Sequence, residues 1–278
     1  VPNRGYCLRQ VPDILSESEI QSRLHTRWVG QKVVCLAEVD STNIRARRLA
    51  EEGAPSGTLV AADRQTKGRG SRGRSWESPA GESIYMTLLL RPEFSPASAS
   101  MLTLVMGLSA VQGMEQVTGA ALQIKWPNDV VLNGKKVVGI LTEMSAQVDY
   151  IEHLVIGVGV NVNGKEFPQE LQDKATSLAA QLGKDFCRAG LAAAILEAFE
   201  RNYEIFCRTE DLSGLKEEYQ RVLANAGKQV RVLDPASPYS GLALGIDERG
   251  QLLVRREDGT VERVYAGEVS VRGLYSYV

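Results

Sequence analysis

Apolar and polar positions alternate along this chain with periods that change from one segment to the next. Short β-branched or alternating segments bounded by Gly, Pro, Asn or Asp are typical of strands, and apolar residues three to four positions apart are typical of helices. Asn133-Gly134 is a strong signal for a two-residue hairpin turn. Strands are predicted at 32–39, 58–62, 83–90, 122–125, 130–132, 136–144 and 154–162.

Three segments have the helical period. Residues 40–52 begin with the capping side chains of Asp40, Ser41 and Thr42 and are followed by the helix breakers Gly53 and Pro55. Two longer helices are predicted at 98–118 and 191–206, the second with a clear apolar face. The pattern is weak over the first thirty residues, which are predicted to be a strand end and a linker.

The pattern changes again after Ala226-Gly227, where short β segments alternate with turn residues. Five such strands in so short a stretch indicate a small barrel that needs a neighbour for stability. Its strands are predicted at 229–233, 241–246, 252–255, 261–265 and 269–272. The predicted fold is therefore α+β rather than alternating βαβ, with a linker at 1–30, a large mixed domain at 31–226 and an all-β domain at 227–278.

Composition disfavours several classes of function. The formal net charge of −2 provides no global basic field for nucleic acid or membrane. Cys7, Cys35, Cys187 and Cys207 are scattered and only two histidines exist, so reduced thiols in a cytoplasmic protein are predicted rather than a zinc site or disulfides. A Ser-His-Asp or Cys-His catalytic site is disfavoured for the same reason. No apolar run is expected to span a membrane.

A loop rich in Gly and Arg is the first segment with a chemical signature. Five cations and three glycines share residues 64–74. Glycine lets backbone N–H groups approach an anion closely, and arginine adds charge-assisted hydrogen bonds. The ending of a Walker loop is absent. The residues alone therefore leave three alternatives: a loop that binds an anion, a solvated basic loop, or an RGG-like nucleic-acid contact.

The second segment is KWPNDV at 125–130, followed by Lys136 on the outgoing strand of the predicted hairpin. Pro127 fixes a corner between two strands, so Lys125, Asn128 and Asp129 are expected to be held rigidly. A Lys and an Asp this close can orient a ligand or a Mg²⁺–phosphate pair. The alternative is an ordinary turn with a surface lysine.

Two further motifs are weak by themselves. GVGVNVN at 157–163 alternates glycines along an apolar strand, a pattern that suits a flat ring lying on the backbone. DSTN at 40–43 precedes a helix, where exposed N–H groups can bind a small polar ligand. Helix capping alone also explains DSTN.

Taken in this order, these segments resemble the biotin protein ligase family. The resemblance implies a mixed-sheet catalytic domain akin to class II aminoacyl-tRNA synthetases and a C-terminal SH3-like β-barrel. It also implies that ATP, with Mg²⁺, activates biotin to biotinyl-5′-AMP, and that biotin then passes to a lysine of a biotin carboxyl carrier domain. The matching motifs are DSTN at 40–43, QTKGRGSRGRSW at 65–76, KWPNDV at 125–130, GKKVVGILTE at 134–143, GVGVNVN at 157–163, ATSL at 175–178 and GEVSVRG at 267–273.

The resemblance also implies a role for each matching residue. Catalysis is assigned to Lys136, Arg69, Asp129 and Lys125, and Mg²⁺ is expected on the phosphates with Asp129 as a candidate protein ligand. The residues expected to bind biotin are Ser41, Thr42, Asn43, Gln65, Gly68, Arg69, Gly70, Lys136, Gly139, Leu141 and Gly157. Those expected to bind ATP are Arg72, Arg74, Trp76, Asn128, Asn161, Glu268 and Arg272.

Ser71 departs from the family pattern, which usually has another arginine directly after Gly68-Arg69-Gly70. The resemblance implies that this arginine orders the loop and retains the reactive adenylate. Ser71 therefore predicts either a leakier intermediate or a substitute role for Arg72.

The first eight residues resemble the wing strand that closes the N-terminal helix-turn-helix of bifunctional ligase-repressors. No helix-turn-helix precedes them in this sequence, so DNA binding through one is not expected of this chain. A biotin-sensing transcriptional repressor and a lipoate-type ligase are the alternative functions. The family also implies a homodimer formed through an edge of the central sheet.

Overall fold

A seven-stranded mixed sheet organises the larger part of the protein. The computed structural model describes residues 13–234, 237–265, 270–273 and 277–278. The strand order is β1-β2-β3-β7-β6-β5-β4; β1 and β2 are parallel, and the other neighbours are antiparallel. The predicted α+β fold is confirmed. The strands are β1 Val33–Val39, β2 Leu59–Gln65, β3 Ser83–Leu90, β4 Gln123–Lys125, β5 Asp129–Leu132, β6 Lys135–Ala146 and β7 Ile151–Asn161.

Six α-helices accompany these strands in the described ranges. The sequence pattern misses the three shortest, α1, α4 and α6. For α1 a signal was available, because Ser16 and Glu19 have the spacing of a capping box and the Ser16 hydroxyl accepts a hydrogen bond from the Glu19 N–H. Residues 1–12, with the proposed wing strand and Cys7, lie outside the described residues. The helices are α1 Glu17–Gln21, α2 Thr42–Glu51, α3 Leu102–Thr118, α4 Leu178–Leu182, α5 Arg188–Thr209 and α6 Lys216–Arg221.

The core includes the contact between α3 and α5. Gly113 allows their backbones to approach closely, because an added Cβ would lie 2.6 Å from backbone atoms of Ala194 and Ile195. Pro96–Thr118, which comprises a 3₁₀ helix and α3, is long and apolar enough to cross a membrane, contrary to the expectation of no such run. Its apolar window is 72% buried inside the protein, as in a core helix.

The segment before β1 is held on α5 by one buried carboxylate. Glu200 accepts hydrogen bonds from the backbone N–H groups of Arg27, Trp28 and Val29, at 2.8, 2.9 and 2.9 Å. Burial alone raises the pKa of Glu200, but these donors together outweigh it, so that the pKa is lowered. The ionised carboxylate therefore stabilises the docked segment.

Glu200→Gln is expected to destabilise the protein by about 1–3 kcal/mol near neutral pH, because buried N–H donors lose a charged acceptor. A carboxylate with a depressed folded pKa contributes stability above its unfolded pKa, and the contribution disappears as the pH falls through the folded value. The difference in free energy of unfolding between wild type and variant, measured with urea, should therefore narrow as the pH falls below about 4.5, the ordinary pKa of a glutamate. A difference in free energy of unfolding that does not depend on pH would contradict the role of the ionised Glu200 carboxylate.

A second sheet of five antiparallel strands docks on the first, in the order β11-β10-β9-β8-β12. This small antiparallel domain agrees with the SH3-like prediction. The indole Nε1 of Trp126 donates to the Gly250 carbonyl at 2.9 Å, and Gly250 lies against the side chains of Leu104 and Leu212. The docked strands are β8 Gln229–Leu233, β9 Tyr239–Ile246, β10 Leu252–Arg255, β11 Val261–Val264 and β12 Ser270–Gly273.

Candidate active site

A cleft of about 1880 Å³ is lined by residues of the large sheet, the Gly/Arg loop and strands β8 and β12. A much narrower pocket, about 40 Å³, lies under the Gly/Arg loop and shares several of its lining residues. Every residue predicted to bind biotin lines this narrow pocket, except Gly68. Those residues are Ser41, Thr42, Asn43, Gln65, Arg69, Gly70, Lys136, Gly139, Leu141 and Gly157.

Asn43 is fixed at the narrow pocket by three side-chain hydrogen bonds. Its Nδ2 donates to Glu143 Oε2 at 2.8 Å and to the Leu141 carbonyl at 3.2 Å, while its Oδ1 accepts from Thr87 Oγ1 at 2.7 Å. An added Cβ on Gly157 would lie 2.1 Å from Asn43 Oδ1. Glycine at position 157 is therefore required for this arrangement.

The start of α2 is capped differently from the prediction. Ser41 is the N-cap residue, but its side chain makes no capping hydrogen bond. The Gln65 side chain, from the end of β2, accepts from the Thr42 N–H at 2.9 Å and from the Thr42 hydroxyl at 3.1 Å. Capping by the Ser41 and Thr42 side chains was therefore a wrong prediction, because a residue distant in sequence satisfies the helix N-terminus.

The Gly/Arg loop is held closed over the pocket by two side-chain contacts. Arg69 Nη1 lies 3.0 Å from Glu143 Oε1, and Asn128 Nδ2 donates to Ser71 Oγ at 2.9 Å. The first contact ties the loop to β6 and the second ties it to the KWPND corner. The loop is therefore a lid in this structure.

Gly68 is not among the residues that line the narrow pocket, and its binding of biotin stays a prediction. Its carbonyl accepts from the Trp76 N–H at 3.0 Å, and an added Cβ would lie 2.2 Å from the Trp76 carbonyl oxygen. Gly68 therefore closes the loop on its own far end. The Arg72 side chain lies outside the described part of the protein.

The Trp76 ring lies flat against two neighbouring strands. Gly139 and Gly159 are partners in the β6–β7 register, and a Cβ added to them would lie 2.7 and 2.8 Å from the ring. Lys136 Nζ is 5.0 Å from the ring centroid, within range of a cation–π contact. The buried indole Nε1 has no hydrogen-bond partner within the described residues. The paired glycines thus form the flat surface that the GVGVN pattern indicates.

Asp129 lies at the centre of a cluster of charged groups. Lys136 Nζ is 2.5 Å from Asp129 Oδ1, and Lys125 Nζ is 3.9 Å from Asp129 Oδ2. The Tyr277 hydroxyl donates to Asp129 Oδ2 at 2.5 Å. Lys125 and Asp129 are both 7% exposed. Two lysines against one carboxylate give the cluster a net positive charge, which suits an anionic ligand in a partly desolvated site.

Asp129 does not fit a protein-held metal. Its carboxylate is already engaged by Lys136 and Tyr277. Among the residues that the structure describes, no group of three His, Cys, Asp or Glu side chains is arranged to hold a metal ion. The geometry therefore disagrees with Asp129 as a Mg²⁺ ligand.

The residues expected to bind ATP are only partly described. Arg74, Trp76, Asn128 and Asn161 line the large cleft. Glu268 lies outside the described residues. Arg272 pairs through its backbone with Arg231 in β8, and nothing further of its side chain is described.

Sequence reasoning missed several residues of the site. Glu143 shares a strand face with Leu141 by the period-two rule, so the GILTE motif held a usable signal. Thr87 and Tyr85 lie in an apolar strand that is buried throughout, where alternation marks no functional face. Tyr277 has no local signal at all.

Two family models match this chain. The Biotin/lipoate A/B protein ligase family matches residues 36–161, and the Biotin protein ligase C terminal domain matches residues 226–272. The bifunctional ligase/repressor BirA of Bacillus subtilis (strain 168) is 40% identical over 273 residues, which cover 98% of this chain and 83% of that protein. The biotin--[acetyl-CoA-carboxylase] ligase of Paracoccus denitrificans is 33% identical over 81% of this chain and 94% of that protein.

Solved structures agree with these sequence matches. The biotin protein ligase from Aquifex aeolicus, in complex with biotin and ATP, has a TM-score of 0.77 and 36% identity, covering 87% of this chain and 99% of that chain. Fold and pocket together define a protein ligase of the biotin/lipoate class. The C-terminal model and the relatives narrow this class: the chain belongs to the biotin protein ligase family.

Proposed function

We propose that this protein activates biotin with ATP to biotinyl-5′-AMP and transfers the biotinyl group to a lysine of a biotin carboxyl carrier domain. One observation carries the proposal. The narrow pocket under the Gly/Arg loop is lined by Lys136, which belongs to the cationic cluster with Lys125 and Asp129. Polar side chains of the pocket, among them Ser41, Thr42 and Gln65, suit the ureido ring of biotin, and the cationic cluster suits its carboxylate.

The first step joins two anions. The biotin carboxylate is ionised at neutral pH and needs no general base. One of its oxygens attacks the α-phosphorus, a new P–O bond forms, and the bond to pyrophosphate breaks. The barrier is mainly charge repulsion, which Lys136 and Arg69 offset by electrostatic stabilisation. Mg²⁺ enters in this proposal as part of the substrate, bound to the phosphates of ATP.

The second step is an acyl transfer. A neutral lysine amine of the carrier attacks the acyl carbon of the mixed anhydride, an amide bond forms, and AMP leaves. The attacking nitrogen must lose one proton. Asp129 is the proposed acceptor because it is a carboxylate beside the pocket. The proton passes from that nitrogen to the Asp129 carboxylate, which becomes a neutral acid.

Pyrophosphate–ATP exchange tests the first step and distinguishes a biotin ligase from a lipoate-type ligase. We expect exchange with biotin and none with lipoate, since the C-terminal family model and the named relatives are biotin ligases. A purified carrier domain should then acquire one biotinyl group. Exchange that depends on lipoate instead would overturn the proposal.

Gly157→Ala is expected to raise the dissociation constant of biotin about tenfold or more, since overpacking a tight site costs roughly 1–3 kcal/mol. The new methyl group must displace Asn43 from its three hydrogen bonds. Titration calorimetry with biotin measures the change. Gly107→Ala is the matched control, because its added Cβ has no neighbour closer than 3.8 Å. Equal biotin affinities of the two variants would contradict a role of Asn43 in biotin binding.

Ser71→Ala is expected to speed dissociation of biotinyl-5′-AMP about two- to tenfold, the value of one neutral hydrogen bond to Asn128. We propose that Arg72 supplies further retention, so Arg72→Ala should also speed dissociation, and Ser71→Arg should slow it. Release of labelled adenylate is the measurement, with the exposed loop variant Ser75→Ala as control. Unchanged rates in both alanine variants would refute retention by this loop.

The outer edge of β6 supports a homodimer as a further proposal. The β5 register ends at Gly139, so in the described residues the rest of β6 pairs only with β7. Met144, Val148 and Tyr150 near this edge are 51%, 92% and 56% exposed. An open strand edge with apolar side chains can pair with a second copy. Sedimentation with and without biotin tests this.

We also propose that this protein represses transcription and that it is located in the cytoplasm. The Bacillus relatives are named for both ligase and repressor activity, and an operator-DNA binding assay would test repression here. Cys35, Cys187 and Cys207 are free thiols. This supports a cytoplasmic location, which fractionation of the source cells would test.

A further inference from the structure

Tyr277 and Val278 lie against the large sheet, although they follow the last strand of the small one. Val278 is 7% exposed and packs with Val131 and Ala224, and Tyr277 packs against the same cluster. Val131 belongs to β5, two residues after Asp129. This apolar contact therefore seats Tyr277 beside the cationic cluster.

Tyr277 contacts two members of that cluster with different parts of its side chain. The hydroxyl donates to Asp129 Oδ2 at 2.5 Å, and the Lys125 Nζ lies 4.1 Å from the ring centroid. The first contact is a charge-assisted hydrogen bond and the second is a cation–π interaction. Tyr277 thus contacts both the Asp129 carboxylate and the Lys125 ammonium of the KWPND corner.

The hydroxyl contact has a geometric consequence for Lys136. A carboxylate is planar, so a donor on Oδ2 also fixes the direction of Oδ1. Lys136 Nζ lies 2.5 Å from that Oδ1. The position of the Lys136 ammonium therefore depends on the Tyr277 hydroxyl through Asp129, without direct contact between Tyr277 and the reacting atoms.

We infer that Tyr277 is a positioning residue of the ligase reaction, acting through Asp129 on Lys136 and through its ring on Lys125. The inference rests on the proposed function. A displacement of about 1 Å at a reacting group can lower a rate about 10²-fold. Loss of the hydroxyl therefore reduces turnover in adenylate formation more than it reduces biotin binding.

Tyr277→Phe is the primary test, because it removes the hydroxyl and keeps the ring over Lys125. In pyrophosphate exchange its kcat should fall about tenfold or more, with the KM for biotin changed less than about twofold. Tyr277→Leu also loses the ring, so its kcat should fall further than that of Tyr277→Phe. Tyr265→Phe is the matched control, since Tyr265 is a 51% exposed tyrosine of the same domain. The melting temperature is measured for all three.

A double-mutant cycle with Asp129→Asn separates positioning from a purely structural role. If Tyr277 acts on turnover through Asp129, Tyr277→Phe should have little further effect on kcat in the Asp129→Asn protein. The inference is overturned by an equal loss in both backgrounds, by wild-type kcat in Tyr277→Phe, or by a lowered melting temperature with normal kcat. Failure of the wild-type protein to exchange with biotin would instead reject the proposed function.

Discussion

Lys136→Ala is expected to lower the rate of biotin-dependent pyrophosphate exchange about 10²–10³-fold, the usual cost of removing one electrostatic stabiliser from a transition state. Lys136 Nζ is held 2.5 Å from Asp129 Oδ1, and its side chain is 22% exposed at the mouth of the pocket. The positive charge is therefore partly desolvated, and the proposed function requires it where the two anions meet. The fold should survive, because this lysine contributes little to the apolar core.

Lys135→Ala is the matched control for that experiment. Lys135 adjoins Lys136 in β6, but its Nζ donates to the Gln172 carbonyl at 2.8 Å in exposed surroundings. It should exchange pyrophosphate at nearly the wild-type rate. Near-normal exchange by Lys136→Ala would reject the catalytic assignment, and circular dichroism of both variants shows whether the fold is retained.

Arg188→Ala is expected to destabilise the protein by about 3 kcal/mol, the lower end of the range for breaking a buried ion pair. The Arg188 side chain is 3% exposed; its Nε lies 2.7 Å from Asp13 Oδ2, and its Nη1 lies 2.6 Å from Asp63 Oδ1. The two carboxylates are 29% and 31% exposed, so water can partly replace the lost partner. Urea unfolding measures the loss.

Arg27→Ala serves as the comparison, because Arg27 also joins the N-terminal segment to α5 but its side chain is 74% exposed. An exposed ion pair contributes about 0–1 kcal/mol, so a small effect is expected. The two losses should differ by about 2 kcal/mol or more. Similar losses would show that burial of Arg188 does not decide its contribution.

Much of the fold follows from local pattern alone. The prediction of a strand at 83–90 coincides with β3, and the Asn133-Gly134 turn has the positive φ values, 50° and 76°, that its sequence predicts. The β6–β7 hairpin and α5 extend beyond their predicted bounds. These elements depend on side chains near in sequence, which is why periodicity finds them.

Most residues that line the narrow pocket were also identified from the sequence, but through motifs rather than periodicity. The Gly/Arg loop, the KWPND corner and the GVGVN strand each contain residues that the fold brings together around one pocket. Biotin binding by Gly68 stays a prediction, and the contacts of Asp129 with Lys136 and Tyr277 disagree with its expected Mg²⁺ role. A motif identifies which residues gather, whereas the partner that each side chain meets depends on packing around it.

The sequence by itself determined the elements, the family and most of the residues around the pocket, because each of these follows from short-range pattern or motif. Only the tertiary structure decided which groups meet across long separations. Tyr277 meets Asp129 across 148 positions, and Arg188 meets Asp13 across 175. Such contacts arise when separate elements dock and bury charge, and no local period or spacing encodes that distance.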